Sequence, residues 1–165
     1  MNAKIFTEPV LTLYRSLDEI AANLAYISQE LPALATGDGV GAAIARMCNE
    51  FDSALYDVRK EVRTLEDKLG MHPGEEPFDP DVMNPDPKVT LSLIETWLSR
   101  ELEGLHTVVE RLERGAEREP TLGIIFVLMA ESGANILKAF GTIREQLKFI
   151  AVKIDEGPIF DLRSL

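Results

Sequence analysis

Few residues in this chain have the chemistry to act on a ligand. Among its 165 residues are two histidines, His72 and His106, and a single cysteine, Cys48. Glu103-x-x-His106 has the spacing at which one helical turn presents a carboxylate and an imidazole to the same divalent metal. Carboxylate bundles that hold two metals carry that motif on two helices and add a glutamate from each of the other two. Here the motif occurs once. Glu110 and Glu131 are the carboxylates that helical geometry could bring nearest to it. The plainer reading has His106 flanking the core and pairing with Glu103 or Glu110 on the surface.

The other candidates are weaker. Asp79, Asp81, Asn84 and Asp86 alternate as calcium ligands do, but Pro80 and Pro85 interrupt them and the glycine and distant glutamate of a calcium loop are missing. Cys48 lies on a helix seam, where a thiol behaves as a small hydrophobe. Gly37-x-Gly39-x-Gly41 lacks the preceding strand of a dinucleotide site and reads as a turn. None of these makes an enzyme: the expectation is a non-catalytic protein without a cofactor, a divalent metal at Glu103 and His106 being the alternative.

The elements that must position these residues are four long helices, expected at about 8–35, 39–69, 87–117 and 120–156. In the first, Val10, Leu13, Leu17, Ile20, Leu24, Ile27 and Leu31 alternate steps of three and four, the seam of a coiled coil. Thr7 is placed to cap it, and Pro32 to end or kink it. In the second, with Asp38 as cap, the seam is Ile44, Cys48, Phe51, Leu55, Val58, Val62, Leu65 and Leu69, stopped by Gly70. In the third, capped by Asp86, the seam is Leu91, Ile94, Leu98, Leu102, Leu105, Val109, Leu112 and Ala116. The step from Leu98 to Leu102 breaks the rhythm, a stutter. In the fourth it is Phe126, Met129, Gly133, Ile136, Phe140, Ile143, Leu147, Ile150 and Ile154, with Gly157-Pro158 as the stop and 157–165 as a tail.

Such narrow seams require mutual burial. The expected fold is all-α, one domain over 1–165, a four-helix bundle of two antiparallel hairpins. Residues 70–86 join the hairpins with four prolines, two glycines, five acids and no lysine or arginine. This loop is long enough to hop to a neighbouring helix end or to cross the whole bundle. A crossover would resemble the ferritin-like layout, although there the metal motif lies on the second and fourth helices, and here on the third.

The net charge of −11 speaks against nucleic acid and against anionic membrane surfaces. Met1–Thr7 is too short and polar for a signal peptide's apolar stretch. The run from Leu122 to Ala130 is too short to span a bilayer. With one cysteine there is no intrachain disulfide, and the expected location is the cytoplasm.

The start of the fourth helix departs from a plain bundle. Residues 124–129 are apolar on every side, whereas a bundle needs only one face. Ile124, Val127 and Leu128 are left pointing outward. Either the tail (Ile159, Phe160, Leu162) or the N-terminal Ile5 and Phe6 covers them, or another chain does. Gly133 and Ala134 would admit a close approach. The functional expectation is an interaction protein that self-associates or docks a protein partner through the fourth helix and tail, the acidic loop offering a strip for a basic partner.

Overall fold

The computed structural model describes residues 3–34, 39–76 and 86–163, the last seven of these as backbone alone. A short 3-10 turn, Ala3–Phe6, leads into α1 (Thr7–Glu30). There follow α2 (Val40–Lys68), α3 (Pro87–Ala116) and α4 (Pro120–Arg163). No strand occurs among the described residues.

Each boundary has a local cause. Thr7 does not cap α1: it is the first helical residue, and the capping position falls to Phe6, whose ring is fully buried. Apolar burial there replaces a side-chain hydrogen bond. α1 ends at Glu30, short of the expected 35, because Pro32 cannot continue it. The cap of α2 is Gly39 at φ 67°, a left-handed conformation that glycine adopts without a Cβ clash; the expected cap, Asp38, lies outside the described residues. At the other end Gly70 is also left-handed. Its N–H reaches the Asp67 carbonyl at 3.1 Å and that of Met71 reaches Glu66 at 3.0 Å, the paired bonds of a Schellman stop. Asp86 caps α3 as expected, accepting from the Lys88 N–H at 3.0 Å. α4 runs through Gly157 and Pro158, where a stop was expected. Pro158 there removes one hydrogen bond and crowds the carbonyl four residues before it, at a cost of about 3 kcal/mol or more.

The bundle closes as a ring: α1 packs on α2 and α4, and α3 packs on the same two. Cross-helix polar contacts fix the directions. Asp18 Oδ1 meets Arg59 Nη2 at 3.3 Å between α1 and α2. Lys68 Nζ donates to Thr90 Oγ1 at 2.7 Å between the end of α2 and the start of α3. Glu95 meets Arg144 at 3.1 Å, and Lys88 meets Asp155 at 2.5 Å, between α3 and α4. All three pairs are antiparallel, so the order is up-down-up-down. The end of α2 and the start of α3 therefore lie at the same end of the bundle, and joining them requires no crossover. This separates the bundle from the ferritin-like layout, which needs a long crossover.

The seams of α1 and α2 are buried at every expected position. α3 differs. Its buried apolar residues are Leu91, Ile94, Leu98, Leu105, Val108 and Leu112, while Leu102 and Val109 are half-buried and packed against the core from its margin. These keep a strict heptad rhythm if Glu101 fills the vacant place. There is no stutter in α3: a glutamate occupies a seam position, and its apolar neighbour Leu102 mimics the missing member. In α4 the buried residues are Leu122, Ile125, Met129, Ser132, Gly133, Ile136, Ala139, Phe140, Ile143, Leu147 and Ile150. Ile125, and not the half-buried Phe126, faces the core. Burial passes through the adjacent pairs Ser132–Gly133 and Ala139–Phe140, so the three-four rhythm shifts along this stretch. At the hinge between α3 and α4, a Cβ on Gly115 would stand 2.7 Å from Leu122 Cδ1, so the bare backbone admits Leu122 to the core.

Candidate functional site

The expected outward residues are placed unequally. Ile124 and Val127 are each 61% exposed, and Leu137, which the sequence reading did not single out, is 58% exposed. Leu128 is half-buried and packed against the core. It is not among the large apolar side chains left exposed. The side chains of Ile159, Phe160 and Leu162 lie outside the described residues.

Neither proposed cover from within the chain reaches this patch. Phe6 belongs to the end of the bundle where α1 begins. The Lys88–Asp155 pair puts the end of α4 beside the start of α3, also at that end. Ile124 lies at the opposite end. Some thirty residues of helix separate it from Asp155, about 45 Å at 1.5 Å per residue.

The exposed apolar surface extends from α4 onto α3. Between the two helices runs a groove of about 200 Å³ lined by Leu102, His106 and Val109 on one side and Ala130, Ala134 and Leu137 on the other. Leu105 and Gly133 form its floor. The offset described above creates it: because Glu101 and Val108 take the seam positions, Leu102 and Val109 are turned toward α4's outer edge. His106 stands on the rim, well exposed, with Nε2 3.0 Å from Glu110 Oε1. This is the surface pairing of the plainer sequence reading. Glu103 is exposed, and its carbonyl accepts the Thr107 hydroxyl at 3.0 Å. Glu131 is exposed on the opposite flank of α4. Among the described residues no three His, Cys, Asp or Glu side chains converge as a metal site would require. Of the calcium-like acids, Asp79, Asp81 and Asn84 lie outside the described residues, and Asp86 is engaged as the cap of α3.

A polar cluster that the sequence reading missed lies at the far end. Glu66 is buried on α2, and its carboxylate meets Arg63 and His72. Arg63 also reaches Glu75 at 3.2 Å. Tyr14 of α1 hydrogen-bonds Glu66; burial first, and this bond second, push its hydroxyl above the usual phenol range. The cluster pins the first residues of the middle loop, and the lone His72 is its lock. The one signal for it was His72 following a Gly70 stop, which brings the loop back over the last turn of α2.

Two further groups have shifted acidities. Burial, then the nearby Asp52, pushes the Cys48 thiol up to about 11, which keeps it protonated and unreactive. Burial, then Glu50, raises Glu101.

By length and composition α4 is apolar enough over Pro120–Glu156 to cross a membrane. The expectation from the Leu122–Ala130 run considered too narrow a window. In the bundle this helix buries Ile125, Met129, Ile136 and Ile143 against its neighbours. The chain matches no known family model, no curated protein and no solved structure.

Proposed function

We propose that the protein is a non-catalytic helical interaction module whose working surface is the outer face of α3 and α4, bound by an apolar helix. One observation carries this reading: Ile124, Val127 and Leu137 stay about three-fifths exposed on α4, and Leu137 lines a groove against α3 that no described segment covers. Burying each such side chain in a complex would contribute roughly 1–2 kcal/mol, since full burial contributes about 1.5–3. Spread over about 20 Å of α4, they offer a row of anchors of the kind used in helix-in-groove recognition. The acidic surface and the buried, protonated thiol suit a cytoplasmic protein.

The test is Val127→Glu, with Leu137→Glu as a second variant, in the full chain. Helicity is expected to stay as in wild type, because both positions are exposed. Self-association by light scattering, and partner retention from an extract of the source cells, are expected to fall together. If both variants match wild type in both measurements, the reading is wrong.

A further inference from the structure

We infer that the hinge between α3 and α4 carries an anion site, an arginine-lined cleft that takes the dianion of a phosphate monoester borne by a small molecule or a lipid headgroup. The site is separate from the apolar face and does not rest on that reading. Three Glu-Arg steps follow one another here, at 110–111, 113–114 and 117–118. Neighbours in sequence do not face each other on a helix, because they stand about 100° apart around its axis. Repeated at spacings of three and four, the steps gather the arginines on one stripe and turn the glutamates onto another. α3 ends at Ala116, but Glu117 after it keeps helical angles (φ −69°, ψ −24°), so Arg118 follows Arg114 by about one turn. The hinge backbone is fixed as well. The N–H groups of Arg118 and Glu119 both donate to the Gly115 carbonyl at 3.0 Å.

The packed helices give this stripe a concave wall. A cleft of about 470 Å³ is lined by Arg111, Arg114, Arg118 and Glu119, with Val40 of α2 and Leu122 of α4 beside them. Three cations against one carboxylate leave an excess of positive charge here, on a chain whose net charge is −11. Arg59, Arg63 and Arg144 elsewhere are matched to Asp18, Glu75 and Glu95. Among the described residues, Arg114 and Arg118 meet no carboxylate. Glu110, one turn before Arg114, is engaged by His106 at 3.0 Å.

The start of α2 adds to the same field. The N–H groups of Val40, Gly41 and Ala42 precede the first helical bond, from the Ala43 N–H to the Gly39 carbonyl at 3.0 Å. Gly39 has no side chain to accept from them, and no acid stands in the first turn of α2 or of α4. Both helix ends therefore add positive potential to that of the arginines. The ligand class follows from the donors. Guanidinium forks match phosphate oxygens in pairs, and the excess of two charges balances a dianion. The volume exceeds that of a phosphate group alone and leaves room for the organic part that carries it.

The test is a titration of the full chain with glycerol phosphate at low ionic strength, read by the amide NMR signals. Those of Val40, Gly41 and Arg118 should shift saturably, with a dissociation constant on the order of 0.1–1 mM, and added salt should weaken the binding. Arg114→Gln and Arg118→Gln should each weaken it about tenfold, the loss of one charge-assisted contact. Both side chains are exposed, so helicity should be unchanged. Arg15→Gln removes the same charge from an exposed site on α1 and should leave binding as in wild type. Flotation with phosphatidic acid vesicles, which display the same monoester, separates the two sources. Binding of glycerol phosphate that the Arg114 and Arg118 variants lose supports a small molecule. Flotation lost in those variants, without binding of glycerol phosphate, supports the lipid headgroup. No binding in either arm overturns the site, as does a loss in Arg15→Gln equal to that in Arg114→Gln.

Discussion

Glu101 occupies a place in the α3 seam that every neighbouring turn fills with an apolar residue, between Leu98 and Leu105. Replacing it with leucine tests the register directly. The site is half-buried, so about half of a leucine's full burial is available, roughly 1 kcal/mol. Relief from Glu50 adds a few tenths of a kcal/mol, the scale of an exposed charge pair. For a chain of this size the gain corresponds to a rise of about 2–4 °C in melting temperature. The pH dependence is a second signature. Burial, then Glu50, raises the folded-state pKa of Glu101. Its contribution is therefore fully present below the unfolded carboxylate value, about 4.3, and is lost as pH rises through the raised value. Glu101→Gln should be more stable than wild type at pH 7 and converge with it below about pH 4. Urea unfolding of wild type, Glu101→Leu and Glu101→Gln at pH 7 and pH 4 measures both effects. A Glu101→Leu variant destabilised by about 1 kcal/mol or more at pH 7, or a Glu101→Gln difference independent of pH, would refute the assignment of Glu101 to the seam.

Adjacent residues on α4 should respond in opposite ways: Leu128→Glu is expected to cost about 2–4 kcal/mol by putting a charge against the core, and Val127→Glu less than about 0.5. Thermal melts of the two variants at low concentration decide this, and equal losses would mean that α4 is rotated from its described position. Glu66→Ala removes the buried partner shared by His72 and Tyr14, leaves Arg63 its pairs with Asp67 and Glu75, and should destabilise by about 2 kcal/mol in urea; a loss under about 0.5 would show the cluster to be surface decoration. Cys48, buried and with its thiol pushed up to about 11, should resist iodoacetamide at pH 8 in the folded chain and react promptly in urea. Mass spectrometry follows the adduct, and rapid native labelling would contradict its burial.

Much of the architecture was legible because helical periodicity is a local property. The three-four rhythm of Val10 to Leu31 and of Ile44 to Leu69 names one face of a helix without reference to any neighbour, and each of those residues is buried. The α3 error has an equally local cause. Pattern reading admits only apolar residues to a seam, so Glu101 was passed over and Leu102 substituted. That single slip also concealed the groove, since Leu102 and Val109 line it because they are not in the core.

By itself, then, the sequence determined four amphipathic helices, two of their seams residue by residue, the Asp86 cap, and a surplus of apolar residues early in α4. Which helices are neighbours, and in which direction they run, was decided by tertiary packing through contacts such as Lys68 with Thr90 and Lys88 with Asp155. So were the shared end of α2 and α3, the half-buried Leu128 beside an exposed Val127, and the gathering of Glu66, Arg63, His72 and Tyr14. The physical reason is common to all of them. Periodicity fixes how a residue is turned about its own helix axis, but the side on which a neighbour lies is settled only when the helices meet.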